Sequence, residues 1–191
     1  ATDTFNTAVG FQAGALVTTG IQNTLIGSLA GDALTDADQN TAVGYAALTT
    51  DTLGSKSTAV GREALVTQNF TTATDTFNTA VGFAAGQAIT TGVQNTLLGG
   101  LAGDKLTDAD SNVAVGINAL GRDTLGSRSV AIGASALELQ NFTTATETYN
   151  TAVGFLAGGA LTTATKNTHV GYSAGGVGVI TGTRNNTFGF E

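Results

Sequence analysis

A five-residue motif recurs along the whole chain and constrains its fold more than any other feature. "NTAVG" stands at residues 6–10, 40–44, 78–82 and 150–154, and close variants such as "NTLIG" and "SVAIG" fill the intervals. The motif glycines are Gly10, Gly27, Gly44, Gly61, Gly82, Gly99, Gly116, Gly133, Gly154 and Gly171. Three short steps of about 17 residues and one long step of about 21 residues make a super-repeat of about 72 residues, and regular steps of this kind are typical of repeat architectures.

Each repeat predicts one short strand followed by a turn. The motif is rich in Thr and Val, which favour strands, and its glycine favours a turn. Abundant glycine, 27 of 191 residues, and few Glu, Lys and Arg argue against helices. We therefore predict an all-β parallel β-solenoid of about eleven coils, of about 17 residues each and about 21 in the long units. It forms a single domain over 1–191, with super-repeats at 6–77 and 78–149 and a partial one at 150–191.

Charge and cysteine content argue against several classes of function. The formal net charge is −7, and the seven Lys and Arg residues are dispersed. No basic surface is expected for nucleic acid or for an anionic membrane. No apolar run approaches the roughly 20 residues of a membrane helix, so we expect no membrane insertion by this segment. The absence of Cys excludes a disulfide scaffold and a thiolate metal site.

Alternation along the strand predicts which motif residues share a side. The fourth motif position is always large and apolar, and we expect it to fill the coil interior, with the second-position Thr on the same side. The predicted coil core is Val9, Ile26, Val43, Val60, Val81, Leu98, Val115, Ile132, Val153 and Val170.

The third motif position points to the other side and is equally free of polar residues until His169. A coil has only one interior, so we expect this second apolar face to pack against another copy of the chain. The alternative is packing against another part of the same coil. The predicted trimer interface is Ala8, Leu25, Ala42, Ala59, Ala80, Leu97, Ala114, Ala131, Ala152 and His169.

Two segments resemble the head repeats of YadA-type trimeric autotransporter adhesins and similar repeats in phage tail fibres. They are "NVAVGINA" at 112–119 and "SVAIGASA" at 129–136, and the resemblance extends from Asn6 to about Gly189. It implies a left-handed parallel β-roll in which three chains pack side by side. The units here are longer than the usual unit of that family, so the outer edge of each coil is expected to be larger.

Residues with catalytic chemistry are scarce. The chain has one His, no Cys and no nucleophile motif, and we expect neither a catalytic residue nor an enzyme. Three copies of His169 around a trimer axis are candidates for holding an anion or a metal. The alternative is that the interface opens near its end and tolerates a polar residue.

Two acidic turns, "GDALTDADQN" at 31–40 and "GDKLTDADSN" at 103–112, are weak candidates for calcium binding. Clustered carboxylates suit hard cations, although the spacing is not that of an EF-hand. The alternative is a solvated turn in which Asp side chains accept hydrogen bonds from nearby backbone. The candidate ligands are Asp32, Asp36, Asp38, Asp104, Asp108 and Asp110. No other cofactor is expected.

The long units carry four extra residues and several aromatic side chains. Insertions in solenoids bulge from one face and often bind ligands. We therefore treat Phe70, Phe77, Phe142 and Tyr149 as candidate receptor-facing residues that stack on a glycan or contact a cell-surface receptor. The alternative is that these rings fold back and cover the bulge.

The sequence thus favours a structural and adhesive fibre segment, in a trimeric surface adhesin or a viral tail fibre. Such a protein is expected to be extracellular, on a cell surface or on a virion. A filament subunit that polymerises end to end is the first alternative, because the chain begins in one unit and ends in another. An ice-binding solenoid is a weaker alternative, because the regular Thr column is placed on the core side.

Overall fold

Short strands recur once per repeat in the computed structural model of the chain, which describes residues 4–176, 178, 180 and 182–190. The strands are β1 (Thr7–Val9), β2 (Thr24–Ile26), β3 (Thr41–Val43), β4 (Gly54–Ser55), β5 (Thr58–Val60), β6 (Thr74–Asp75), β7 (Thr79–Val81), β8 (Thr96–Leu98), β9 (Val113–Val115), β10 (Gly126–Ser127), β11 (Val130–Ile132), β12 (Thr146–Glu147), β13 (Thr151–Val153), β14 (Thr168–Val170) and β15 (Asn186–Phe188). No α-helix occurs in these residues, and hence none that could span a membrane.

The motif strands form one eleven-stranded parallel sheet in the order β1-β2-β3-β5-β7-β8-β9-β11-β13-β14-β15. Each residue pairs with the equivalent residue of the next coil, as Thr7 does with Thr24 and Ala8 with Leu25. The predicted all-β parallel β-solenoid of about eleven coils is confirmed. With a spacing of about 4.8 Å between neighbouring strands, the sheet extends for roughly 50 Å.

The insertion of each long unit adds a small second sheet beside the main one. Strand β4 pairs with β6, and β10 pairs with β12, both in parallel. The two pairs occupy equivalent positions of successive super-repeats, since Gly54 corresponds to Gly126 and Thr74 to Thr146.

The motif glycine ends every strand in a conformation that L-residues rarely adopt. Gly27 has a φ of 130°, and a Cβ atom there would lie 2.4 Å from the carbonyl oxygen of Gly44 in the next coil. Glycine recurs at this position because both the backbone angle and the close approach of coils exclude a side chain.

The motif asparagines form a buried ladder between coils. Asn23 donates from Nδ2 to the carbonyl of Ala37 at 2.7 Å, and its Oδ1 accepts the backbone N–H of Asn40 at 2.9 Å. Asn40 repeats this pattern with Gly54 and Ser57 in the following coil. Each side chain therefore satisfies backbone groups of the next coil that would otherwise be buried without partners.

Serine replaces asparagine at position 57, and a different buried network continues the ladder there. Gln68 donates from Nε2 to Ser57 Oγ at 2.8 Å and to Asp51 Oδ2 at 2.6 Å. Its Oε1 accepts from Asn78 Nδ2 at 2.9 Å, which reconnects the network to the next asparagine. Gln140, Ser129, Asp123 and Asn150 repeat the arrangement one super-repeat later.

We expect Asn112→Ala to lower the free energy of unfolding by about 2–4 kcal/mol, because two buried backbone groups lose their partners. The side chain accepts from Ser129 N–H at 2.8 Å and donates to the Gly126 carbonyl at 2.9 Å. The measurement is urea denaturation followed by circular dichroism. Gln94→Ala, at an exposed position of the preceding coil, is the control and should change stability little. Equal effects of the two substitutions would contradict the role of the ladder.

Candidate functional site: the outward face of the main sheet

The third motif position points into the coil and the fourth points outward. Leu97 is fully buried, whereas its neighbour Leu98 is 47% exposed. Apart from Ala8 in the first coil and Thr187 in the last, which are exposed, the third-position residues are buried in the core of their own chain. Their predicted place at a trimer interface is therefore wrong, because a side chain enclosed by its own coil cannot contact another chain.

The predicted coil core is wrong for the same reason. None of the fourth-position residues is buried: Val9, Ile26, Leu98, Ile132 and Phe188 are exposed, and the others are half-buried, namely Val43, Val60, Val81, Val115, Val153 and Val170. The second-position Thr residues do lie on the same side as these residues, as predicted, but that side faces outward.

Complementary side-chain sizes explain why small residues fill the third position. A second column, six residues after the third motif position, also points into the coil interior. It holds glycine in some coils and leucine in others. A Cβ atom on Gly31 would lie 2.7 Å from a methyl group of Leu25, because Leu25 already fills that space. In the next coil Ala42 leaves the space empty, and the buried side chain of Leu48 fills it. The core volume is thus kept while leucine moves between the two columns. Where alanine meets glycine, as at Ala80 and Gly86, leucines of the neighbouring coils occupy the space, since a Cβ atom on Gly86 would lie 2.7 Å from a methyl group of Leu97.

The outward face carries three parallel columns from the motif and the residue that follows it. The second position is mainly Thr, the fourth is apolar, and the sixth is aromatic in most odd-numbered coils. We call the sixth-position residues the aromatic row; its members are Phe11, Ser28, Tyr45, Arg62, Phe83, Gly100, Ile117, Ala134, Phe155, Tyr172 and Phe190.

Rings of adjacent coils in the aromatic row stack face to face. The ring centroids of Phe155 and Tyr172 are 5.4 Å apart, and those of Tyr172 and Phe190 are 5.1 Å apart. The stacked faces point along the solenoid axis, and the ring edges point to solvent. This orientation does not offer an aromatic face for stacking on a flat sugar.

The long-unit insertion buries two of the four predicted receptor-facing rings. Phe70 and Phe142 are 7% and 6% exposed, so their predicted role in contacting a receptor is wrong. The buried carboxylate of Asp51 accepts the backbone N–H of Phe70 at 2.9 Å and of Gly54 at 3.1 Å. These bonds turn the insertion inward, so that the ring packs under the bulge.

The other two rings remain on the surface beside charged groups. Phe77 is exposed, with the Lys56 ammonium 5.2 Å from its centroid and the Asp75 carboxylate bound to Lys56 at 2.5 Å. Tyr149 is its counterpart in the next super-repeat and lies beside Arg128, 5.7 Å from its ring. The two sites lie about four coils, or roughly 19 Å, apart.

The carboxylates of the acidic turns are engaged in contacts within the chain. Asp36 and Asp108 accept from the hydroxyls of Thr19 and Thr91, at 2.5 Å and 2.8 Å. The side chains of Asp38 and Asp110 accept backbone N–H groups of the preceding coil, Asp32 accepts the Thr49 hydroxyl, and Asp104 pairs with Lys105. The described part of the chain contains no group of three or more His, Cys, Asp or Glu placed to hold a metal ion. These contacts favour the solvated-turn interpretation over calcium.

His169 occupies a core position that leucine fills in the two earlier super-repeats. It is fully buried, and its Nδ1 shares a hydrogen bond with the Thr187 hydroxyl. Its Nε2 has no partner within the described residues. Burial lowers the pKa of the imidazole from its usual 6.5, because the charged form loses its hydration there.

The buried network of Asp51, Gln68 and their equivalents was missed at the level of sequence. Asp51, Gln68, Asp123 and Gln140 stand where other coils place Leu34, Ile89, Leu106 or Leu161 in the core. Aligning whole coils with one another reveals this network in the sequence, because the alignment puts these polar residues in a column that is otherwise aliphatic.

The fold and the outward face define a parallel β-solenoid repeat protein. Comparisons with protein-family models, curated proteins and solved structures find no match to this chain. Its function is therefore argued from the outward face itself.

We expect acid to destabilise the last coils through His169. Because its folded-state pKa is lowered, protonation favours the unfolded chain, and this contribution to stability falls as the pH drops below about 6.5. His169→Leu restores the residue type found at Leu25 and Leu97. It should raise the midpoint of thermal unfolding and flatten its dependence on pH between 7 and 5. Parallel pH profiles for the two proteins would show that another group is responsible.

Proposed function

We propose that this chain is a structural and adhesive fibre segment that assembles side by side with copies of itself, in a trimeric surface adhesin or a viral tail fibre. The observation that carries the proposal is the outward-facing fourth-position column, a continuous and partly exposed apolar stripe about 50 Å long. Apolar patches larger than a few hundred Å² mark interaction surfaces on soluble proteins.

A second copy of the chain fits this stripe well. The strands of the main sheet are only three residues long, and their side chains are in register. Each copy therefore presents the same straight ridge of apolar and Thr side chains. Three such narrow ridges can meet around one axis, which is the arrangement implied by the resemblance to adhesin and tail-fibre repeats. The parallel backbone ladder makes each chain a stiff rod along that axis.

Adhesion is the second half of the proposal and rests on Phe77 and Tyr149. Both rings are exposed, both lie beside a cation and a carboxylate, and they recur at a fixed separation. Repetition along one rod and across copies gives multivalent attachment to a glycan or a cell-surface receptor, even where each contact is weak. The proposed location is extracellular, on a cell surface or a virion.

We expect light scattering after gel filtration to give a mass of three chains that does not change with dilution. Ile132→Glu places a charge on the stripe and should convert the assembly to single chains with an unchanged circular dichroism spectrum. Leu139→Glu is the matched control, because Leu139 lies in the same coil and has nearly the same exposure, 38% against 39% for Ile132. A monomeric wild type, or equal masses for the two variants, would contradict assembly through this face. A mass that grows with concentration would indicate end-to-end growth instead.

Ice binding is a second candidate that the outward Thr column favours. The sequence pattern puts these Thr residues on the side of the predicted core, which counts against ice binding. In the structure that side faces outward. Thr41, Thr58 and Thr79 pair with one another in consecutive coils. Val113 and Val130 interrupt the hydroxyl series but keep its β-branched shape. A flat, regular array of hydroxyl and methyl groups is the kind of surface that can order water.

If the Thr column binds ice, the protein should separate the freezing and melting temperatures of a solution. Thr96→Tyr should then reduce this thermal hysteresis, because a bulky ring breaks the flat array. Thr90→Tyr is the control, since Thr90 is exposed outside the main sheet. A wild-type protein without thermal hysteresis would remove this candidate and would leave the fibre proposal intact.

A further inference from the structure

The aromatic row is held in strict register from coil to coil. The carbonyl of Phe11 accepts the N–H of Leu29 at 2.9 Å, and the carbonyl of Ser28 accepts the N–H of Ala46 at 3.0 Å. Ser28 therefore lies directly between Phe11 in the coil before it and Tyr45 in the coil after it. Two side chains separated by one coil are about 10 Å apart along the axis.

One gap of this kind is filled by the chain itself. The Arg62 guanidinium lies between Tyr45 and Phe83 and is 5.8 Å from each ring centroid. Arg62 also donates to the Glu63 carboxylate at 2.8 Å, while most of its side chain remains exposed. A planar cation is thus the group that this chain places between two ring faces separated by one coil.

Two further gaps in the row have only a small residue beneath them. Ser28 stands between two rings, Phe11 and Tyr45, whereas Gly100 stands between the Phe83 ring and the aliphatic side chain of Ile117. A Cβ atom on Gly100 would meet nothing within 4 Å, so the space above it is open. The flanking residues are all exposed, and the two gaps lie four coils, or about 19 Å, apart.

We infer that the gaps at Ser28 and Gly100 are docking slots for arginine side chains of a protein partner. Arg62 shows the chemistry that such a gap accepts, and the net charge of −7 attracts a cationic segment. Arginine suits the slots better than lysine, because its flat guanidinium stacks on the face of an aromatic ring. This inference concerns the aromatic row, whereas the proposed fibre assembly concerns the fourth-position column beside it.

The separation of the slots defines the ligand. An extended peptide advances about 3.3 Å per residue, so two arginines six residues apart span about 20 Å and point to the same side. The probe is a fluorescein-labelled peptide of Gly and Ser with two arginines at this spacing. Its matched partner carries lysine at both positions. Binding of each to the full chain is followed by fluorescence anisotropy.

We expect the arginine peptide to bind about three- to tenfold more tightly than the lysine peptide, because two exposed cation–π contacts each add a modest factor. The double variant Ser28→Arg and Gly100→Arg fills both slots and should abolish this preference. Its charge-matched control is Gln22→Arg with Gln94→Arg, at exposed positions of the same two coils, and should retain it. Arg62→Ala vacates a third slot and should strengthen binding.

Three results would overturn the inference. Equal affinity for the arginine and lysine peptides would mean that net charge alone attracts them. Loss of the preference in the charge-matched control as well would mean that the added positive charge, and not occupancy of the slots, is responsible. Absence of measurable binding of the arginine peptide to the wild-type chain at low ionic strength would equally exclude the slots.

Discussion

The hydrogen-bond register between neighbouring coils is the constraint on which the rest of the structure depends. Each motif residue pairs with its own equivalent one coil away, and the buried asparagine side chains bind the next coil at 2.7–2.9 Å. Because this register does not slip, residues of one repeat position form straight columns. A column inside the coil becomes core, and a column outside becomes a surface with a single chemistry over about 50 Å. Both the packing and the candidate functions follow from this stacking.

The repeat period was sufficient to predict the fold. Glycines at regular steps, short Thr- and Val-rich strands and the absence of helix-favouring composition fit a parallel β-solenoid of about eleven coils. The period determines the fold because it fixes which residues must stack on one another. Few architectures other than a solenoid stack equivalent residues in register. Both sides of the strand are apolar, but only one of them is buried within the coil, since Leu97 is buried and Leu98 is exposed.

The orientation of the strand could not be predicted from residue size. We placed the larger side chain inside, which is the usual rule for a single strand. In this chain the interior is filled jointly by two columns, so Ala42 suffices where Leu48 supplies the missing volume, and Leu25 is needed where Gly31 supplies none. The exchange depends on contacts between residues six positions apart in different columns, which no alternation pattern within one strand reveals. The burial of Phe70 depends in the same way on the Asp51 carboxylate and its bonds to the insertion.

Functional information in such a protein lies in the columns that the core does not constrain. The inner columns must conserve volume and satisfy backbone groups, so their changes come in compensated sets, such as Asp51 with Gln68. The outer columns are under no such requirement, yet the fourth position stays apolar in every described coil although it faces solvent. This stripe, kept apolar without a role in the core, is the observation on which the proposed side-by-side assembly rests. The aromatic row varies from coil to coil among ring, arginine and small residue. In the proposed recognition of arginine, this variation sets the positions at which a partner docks along an otherwise uniform rod.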